Sequence, residues 1–261
     1  MMTNLSTRRP RHAGFTILEL ALTLAILAVL SVGILVPFVA QVSQRNIANT
    51  ERILEQAKEA LLGYAIVNGR LPCPATDTSK GKESVSNPAT GLCTSFFGYL
   101  PAATLGFTPI DSEGYALDGW GTRLNRIRYA VSDHNGANTF TLAGGMKSAG
   151  PSAFDVPLIF VCSSASGVNA ATPTCGAGAS VQLTNGAPVV IWSVGANALS
   201  AGASADEEQN AFPGALSGGA VDRLYVSHGI NSKPGSEFDD IVTWLSVGNL
   251  VSRMVLAGAL P

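Results

Sequence analysis

The stretch that decides the fold runs from Phe15 to Ala40 and reads FTILELALTLAILAVLSVGILVPFVA. It holds 26 residues, of which 20 are apolar. A helix that crosses a membrane needs about 20 mostly apolar residues, so this stretch predicts a membrane-spanning helix. Upstream lie Arg8, Arg9 and Arg11 with no acidic residue among them, and a basic flank of this kind stays in the cytoplasm. The rest of the chain is therefore expected on the outer side of the membrane.

A conventional cleaved signal peptide is the alternative interpretation of this stretch. Such a peptide has an apolar region of about 7–15 residues, followed by a cleavage site with small residues. The stretch here is longer, and Phe38 stands where a small residue is needed. The membrane anchor is therefore the favoured interpretation.

One acidic residue, Glu19, interrupts the apolar run. A carboxylate inside a spanning segment costs about 2.5–3.5 kcal/mol on insertion scales and commonly marks a partner or a function. From the residue alone two interpretations stay open. Glu19 either reaches to the membrane interface, or it pairs with a cation inside an apolar assembly.

The segment Arg11–Leu20, RHAGFTILEL, resembles the cleavage and methylation motif of type IV pilins and type II secretion pseudopilins. In that family a membrane peptidase cuts after the glycine and methylates the new terminal phenylalanine. The resemblance implies that prepilin peptidase cuts between Gly14 and Phe15 and that Phe15 is N-methylated. It also implies that Glu19 acts in subunit assembly by neutralising the terminal amine of a neighbouring subunit. The chain then divides into a leader at 1–14, a transmembrane and filament-core helix at 15–40, and a periplasmic or extracellular globular domain at 41–261.

Gly33 and Pro37 lie toward the end of the apolar run. Proline inside a helix removes a backbone hydrogen bond and bends or breaks the helix, although membrane helices often tolerate it. The residues alone therefore predict a simple bend. The family resemblance implies a helix break, in a segment that can lose its helicity in the filament, and both interpretations stay open.

The remainder of the chain is predicted to be an α+β domain. Ile47, Leu54 and Leu61 recur every seven residues, which predicts that the helix continues and packs on the protein's own antiparallel sheet. Helical spacing over 247–260 predicts a short C-terminal helix, with Ser246 as its N-cap. A long N-terminal helix on an antiparallel sheet is also the pilin architecture. Short runs rich in Val, Ile, Tyr and Phe predict the strands at 126–132, 139–143, 157–162, 188–194, 222–227 and 239–245.

Four cysteines are present, and two of them, Cys73 and Cys93, lie in a proline-rich stretch over 70–121 that is predicted to be a long loop. An even number of cysteines in a domain outside the cytoplasm favours disulfides over metal ligation. Four cysteines allow three pairings, and the local spacing favours Cys73–Cys93 and Cys162–Cys175. The loop is therefore expected to be pinned by a disulfide.

Two weaker resemblances concern major pseudopilins. The tetrapeptide Asp118–Gly121, DGWG, is similar to their Asp-Pro-Trp-Gly signature, with glycine in place of proline. The second resemblance is to their calcium-binding region, and it is carried by Trp192–Asn197 together with Asp239-Asp240-Ile241. About forty residues separate these two segments here, whereas the intervening loop of major pseudopilins is short.

Calcium is therefore considered as a cofactor. It binds about six to eight oxygens from carboxylates and carbonyls, which the acidic stretch between these two motifs could supply. The candidate ligands are Asp206, Glu207, Asp239 and Asp240, and an ordinary solvated acidic loop is the alternative. No other cofactor is expected.

Charge and motifs limit the function further. Only 13% of the residues are charged and the formal net charge is −2, which is unlike a nucleic-acid-binding protein and unlike a disordered chain. The sequence contains no HExxH, GxSxG, P-loop or dinucleotide-binding motif, so a membrane-anchored hydrolase is disfavoured and no enzymatic activity is expected.

The expected function is that of a structural subunit, more a minor than a major one, of a type IV pilus. A mature chain that begins at Phe15 has 247 of the 261 residues, which is larger than major pilins and pseudopilins usually are. The alternatives are a pseudopilin of a type II secretion system and a tip adhesin or ligand-binding module. The expected partners are prepilin peptidase, other pilin or pseudopilin subunits and the inner-membrane assembly platform. The expected location is the bacterial inner membrane, with a cytoplasmic N-terminus, and then a periplasmic or cell-surface filament.

Overall fold

The computed structural model describes residues 14–134, 136–150, 157–168, 174–176, 180–199, 204–211 and 224–261, apart from the side chains of 31–39. The chain divides into two compact units, Met1–Arg45 and Asn46–Pro261. Helix α1 (Ile17–Asn68) begins in the first unit and ends in the second. The long N-terminal helix predicted from the sequence is therefore present.

The C-terminal unit contains short strands and four further helices among its described residues. The helices are α2 (Ala102–Leu105), α3 (Gly145–Ala149), α4 (Ala205–Asn210) and α5 (Val247–Leu256). The strands are β1 (Val85–Asn87), β2 (Leu92–Cys93), β3 (Phe97–Tyr99), β4 (Arg128–Val131), β5 (Ile159–Cys162), β6 (Gln182–Ala187), β7 (Val189–Ser193), β8 (Leu224–Val226) and β9 (Ile241–Leu245). The unit is therefore α+β, as predicted.

The main sheet of this unit has four antiparallel strands in the order β3-β4-β7-β9. All five residues of β7 are buried, because both faces of the sheet are covered. Successive side chains of a strand point to opposite faces. Val189 and Ile191 accordingly join the core on the helix side, while Val190 and Trp192 join a second core on the other side.

The part of α1 within the C-terminal unit packs one apolar face into the first core. Leu54, Ala57 and Leu61 are at most 2% exposed, and their spacing of three and four residues places them on one side of the helix. They share this core with Tyr129 of β4 and Leu250 of α5. The amphipathic face predicted from the sequence is thus the face that meets the sheet.

A second sheet, in the order β6-β5-β8, covers the other face of the main sheet. Ile159 and Tyr225 of this second sheet pack with Val190 and Trp192, and the ring centroids of Trp192 and Tyr225 are 4.7 Å apart. The C-terminal unit is therefore built from three layers: helix, main sheet and second sheet.

One strand pair departs from the predicted antiparallel arrangement, because β5 and β8 are parallel. Parallel neighbours need a long crossover connection. The chain between Cys162 and Leu224 provides it, since it contains β6, β7 and α4. The strand propensity of each run does not indicate which run it pairs with, or whether the two strands are parallel or antiparallel.

The predicted strand at 139–143 is also wrong, since this run lies in turns. Asn138, just before it, has a φ of 55°, in the left-handed region that interrupts extended backbone. The carbonyl of Phe140 accepts a hydrogen bond from the N–H of Leu71 at 2.7 Å, so the run is fixed against the segment after α1, and it belongs to no strand pair of the described residues.

The segment 70–121 is a long connection that includes β1, β2, β3 and α2. It is held by the disulfide Cys73–Cys93, with sulfurs 2.04 Å apart, and the second disulfide joins Cys162 to Cys175. This is the pairing that the local spacing favoured. The C-terminal helix α5 is present as well, and the N–H of Asn249 donates to the Ser246 hydroxyl at 3.2 Å.

Candidate functional sites in the N-terminal segment and around Glu207

The N-terminal segment begins outside helical structure at Gly14, Phe15 and Thr16, and α1 starts at Ile17. The peptide bond between Gly14 and Phe15, where the sequence predicts cleavage, therefore precedes the helix. A Cβ added to Gly14 would meet no atom within 4 Å, so packing does not require glycine there. A peptidase can approach this bond without unwinding the described helix.

Large apolar side chains on all sides of the first turns of α1 are exposed. Phe15 is 78% exposed and Ile17 88%. A helix that is apolar all round is stable only when it is buried in other protein or in lipid. The other large apolar side chains that are exposed in this stretch are Leu18, Leu20, Leu22, Leu24, Ile26, Leu27, Val29 and Leu30.

The carboxylate of Glu19 is exposed in the middle of this apolar surface. Glu19 follows Phe15 by four residues, which is about one turn of helix. Among the described residues, nothing donates a hydrogen bond to its carboxylate. It is therefore available to a group from outside this chain.

Helix α1 is continuous through Gly33 and Pro37, where the sequence indicated a bend or a helix break. The side chains of both residues lie outside the described ones, and a loss of helicity in a filament stays a prediction. Among the residues that the structure describes, no helix is long and apolar enough to cross a membrane.

The second candidate site surrounds Glu207, which α4 carries. Ser204 caps this helix, and its side chain accepts a hydrogen bond from the Glu207 N–H. The Glu207 side chain points inward and is only 1% exposed. Its Oε1 accepts hydrogen bonds from the Asn197 side-chain amide at 2.8 Å and from the Asp239 N–H at 3.2 Å. Glu207 thus ties α4 to the turn after β7 and to the start of β9.

Asp239 lies against the turn after β7. Its Oδ2 accepts hydrogen bonds from the N–H groups of Ala196 at 2.8 Å and Asn197 at 3.0 Å. Gly195 has a φ of 65°, and a Cβ there would collide with the Asp239 carboxylate, so this turn requires glycine. Burial raises the pKa of Asp239, and the nearby negative charge of Glu207 adds to the rise.

Asp240, the next residue, is 4% exposed. Its Oδ2 accepts a hydrogen bond from the Asn210 side-chain amide at 2.9 Å. Burial raises the pKa of Asp240 to about 7, while the Asn210 hydrogen bond and the positive charge of Arg128 act in the opposite direction. The region around Glu207 therefore concentrates carboxyl groups that lack full hydration.

Asp206 does not join this group, although it precedes Glu207. Its Oδ1 accepts hydrogen bonds from the Ser164 hydroxyl and the Ala165 N–H, and its Oδ2 lies 3.1 Å from His228 Nε2. The four calcium candidates therefore do not converge on one point. In the described part of the chain, no group of three or more His, Cys, Asp or Glu side chains is placed to hold a metal ion.

Two carboxylate oxygens in this region are nevertheless buried without a hydrogen-bond donor among the described residues: Glu207 Oε2 and Asp239 Oδ1. A buried carboxylate oxygen without a donor is costly, and a divalent cation is one kind of partner that such an oxygen accepts. Calcium also accepts carbonyl and amide oxygens, so two carboxylates do not exclude it. Of the four calcium candidates, Glu207 and Asp239 each have one such oxygen in the described part of the chain, whereas Asp206 and Asp240 do not.

Sequence reasoning did not identify the roles of two residues of these sites. Thr16 caps α1, and the pattern Thr-x-x-Glu at the start of an apolar helix is the sequence signal that indicates such a cap. Asn197 orients Glu207, and no pattern in the sequence indicated that its side chain would reach α4.

Comparison with known proteins adds one match. The family model for the prokaryotic N-terminal methylation motif matches residues 9–35. No curated protein and no solved structure matches the chain. The matched residues include Gly14, Phe15 and Glu19. The chain thus carries, over residues 9–35, the prepilin signal of type IV pilins and pseudopilins.

Proposed function

We propose that this chain is a structural, non-enzymatic subunit, more a minor than a major one, of a type IV pilus or a related filament. Prepilin peptidase cuts it between Gly14 and Phe15, and its N-terminal helix inserts into the inner membrane and then into the filament core. The methylation motif over 9–35 carries this proposal. The exposed apolar surface of the first turns of α1 supports it, because that surface needs other helices or lipid around it.

The chemistry of assembly follows from the first turn. Cleavage creates an α-ammonium group on Phe15, which stays cationic after monomethylation, and the helix carries it into apolar surroundings. Two desolvated charges are tolerated there only as a pair, and removal of one partner costs about 3–5 kcal/mol. The Glu19 carboxylate of one subunit thus pairs with the Phe15 amine of a neighbour, which fixes the register between subunits.

Substitution of Glu19 tests this role. We expect Glu19→Ala to leave membrane insertion and cleavage intact and to reduce recovery of the chain in filaments sheared from the cell surface. Gly14→Val is the companion variant: it should block cleavage without disturbing the fold, since the position is open. Unchanged incorporation of Glu19→Ala into filaments would contradict the assignment.

Two alternatives lead to different results in the same preparation. A pseudopilin of a type II secretion system would stay in the cell envelope after shearing, and its loss would stop secretion of exported proteins. A tip adhesin would bind host or surface ligands directly through the C-terminal unit. The size of that unit, with its second sheet over the main sheet, favours a minor subunit over a major one.

We also propose that Glu207 and Asp239 take part in a calcium site. Their two buried oxygens without donors carry this proposal. When bound, calcium would neutralise the two carboxylates and fix α4 to the turn after β7. The test compares the thermal midpoint of the full chain in detergent with and without calcium. A ligand that binds only the folded state raises this midpoint.

Glu207→Gln should abolish the effect of calcium, and Glu208→Gln is the matched control, because Glu208 is the exposed neighbour on the same helix. The absence of a calcium effect on the unsubstituted chain, or an equal effect on all three proteins, would overturn this second proposal and leave the first one standing.

A further inference from the structure

We infer that Thr16 is a positioning residue for assembly: its hydroxyl caps the first turn of α1 and thereby keeps the Glu19 carboxylate available to a neighbouring subunit. The inference rests on the proposed function of Glu19. It adds a role for the Thr16 side chain, which serves as the acceptor in the first turn in place of this carboxylate.

Two hydrogen bonds define the role of Thr16. Its carbonyl oxygen accepts from the Leu20 N–H at 3.1 Å, which is the first bond of the helix. Its Oγ1 accepts from the Glu19 N–H at 3.2 Å. The first amides of a helix have no partner within the helix, and a threonine at the N-cap supplies one. Thr16 therefore satisfies the backbone N–H of Glu19, the residue whose side chain the filament needs.

The other polar side chain of the segment is also satisfied within the helix. Residues 14–30 contain three polar side chains, those of Thr16, Glu19 and Thr23. The Thr23 hydroxyl donates to the Leu20 carbonyl at 2.9 Å. Among the described residues, the Glu19 carboxylate receives no hydrogen bond. Both hydroxyl groups of the segment thus bond within the helix, and the one carboxylate is exposed.

Removal of the Thr16 hydroxyl would change the surroundings of the Glu19 carboxylate. An amide without an acceptor in apolar surroundings is strongly unfavourable. The Glu19 carboxylate is an acceptor on the same residue as this amide, and the N–H groups and the helix dipole of the first turn attract an acidic side chain. A carboxylate that binds its own helix is less available to the amine of another subunit.

The experiment uses the full-length protein in its own cells, with the wild-type subunit replaced. Thr16→Val removes the acceptor at nearly constant volume, and Thr16→Ser and Thr16→Asn keep a side chain that caps helices well. Thr23→Val is the matched control, because it removes the other hydroxyl of the same apolar segment. The readouts are cleavage and methylation, from the intact mass, and the fraction of subunit in sheared filaments.

We expect Thr16→Val to be cleaved and methylated normally and to enter filaments about fivefold less, a factor in the range expected for loss of an N-cap. The Ser, Asn and Thr23→Val variants should stay close to wild type. Normal incorporation of Thr16→Val, an equal loss in Thr23→Val, or failure of cleavage in Thr16→Val would overturn the inference. Glu19→Ala, measured in parallel, separates a failure of this inference from a failure of the proposed function. Normal incorporation of Glu19→Ala would overturn both.

Discussion

The backbone N–H of Gly119 donates to the hydroxyl of Thr50 at 2.9 Å, and this contact joins the DGWG turn to α1. The same hydroxyl donates to the Asn46 carbonyl at 2.8 Å. Asp118, the residue before Gly119, is buried and accepts hydrogen bonds from the Trp120 N–H and the Asn125 side chain. The turn is therefore held by a polar network on one side and by the Thr50 hydroxyl of α1 on the other.

Gly119→Ala should destabilise the C-terminal unit. A Cβ at this position would collide with the backbone carbonyl of Asn46, and overpacking of this kind costs about 1–3 kcal/mol. Gly63→Ala is the control, because Gly63 lies in α1 with open space around it, and alanine there favours the helix. The measurement is thermal unfolding of the full chain in detergent. Equal stability of the two variants would show that the turn can move away from α1.

Thr50→Val should also lower stability, because the partly buried N–H of Gly119 loses its acceptor. Such a loss costs about 1–3 kcal/mol. Thr50→Ser keeps the hydroxyl and should recover most of the difference, and denaturant unfolding of both variants measures it. If valine is as stable as the wild type, the hydrogen bond to Gly119 contributes nothing, and a loss in serine alone would assign the contribution of Thr50 to its methyl group.

Stability should fall in acid because of Glu83. Arg70 binds both oxygens of Glu83, at 2.9 and 2.7 Å, and the Cys73 N–H donates to it as well. Burial acts in the opposite direction, but these hydrogen bonds lower the pKa of Glu83. A carboxylate whose pKa is lower in the folded state stabilises the fold above its unfolded value of about 4.3, and this contribution disappears as the pH falls through the folded pKa.

Unfolding free energies measured between about pH 6 and pH 3 test this acid dependence. Glu83→Gln should lower stability near neutral pH and flatten the acid dependence. Glu51→Gln, at an exposed position of α1, should keep the wild-type slope. The same slope in all three proteins would assign the acid dependence to other carboxylates.

Replacement of both Cys73 and Cys93 by serine should lower the unfolding free energy by about 3 kcal/mol, the value that chain entropy gives for a loop of this size. The two cysteines are 20 residues apart, against 13 for Cys162 and Cys175, so the first pair should contribute slightly more than the second. Denaturant unfolding of the two double variants, each with the other disulfide intact, compares them. A smaller loss in the first variant would mean that its unfolded chain keeps structure in the loop.

The elements that sequence reasoning located are those with strong local signals. The seven-residue repeat of Leu54 and Leu61 marks the packed face of α1, and the Val- and Ile-rich runs mark β4, β7 and β9. Ser246 marks the start of α5. Each signal depends on residues close together in the chain, because helical and strand periodicities are local.

The elements that it missed depend on distant contacts. Strand β6, with the sequence QLTNGA, has little apolar content and exists because β5 lies beside it. Asp206 and Glu207 are neighbours in the chain, yet α4 turns one toward His228 and the other toward Asp239. The position of α4 in the fold decides which of these two side chains is buried. For this reason, two of the four calcium ligands predicted from the sequence, Asp206 and Asp240, bind other groups.

The alternation along β7 has a consequence for how this protein can diverge. Val189 and Ile191 hold the helix, whereas Val190 and Trp192 hold the second sheet. A substitution in the second sheet therefore contacts the core that contains Val190 and Trp192, and not the core that contains Val189 and Ile191. The surface of the C-terminal unit over the second sheet can therefore change while the residues that hold α1 against the main sheet stay the same.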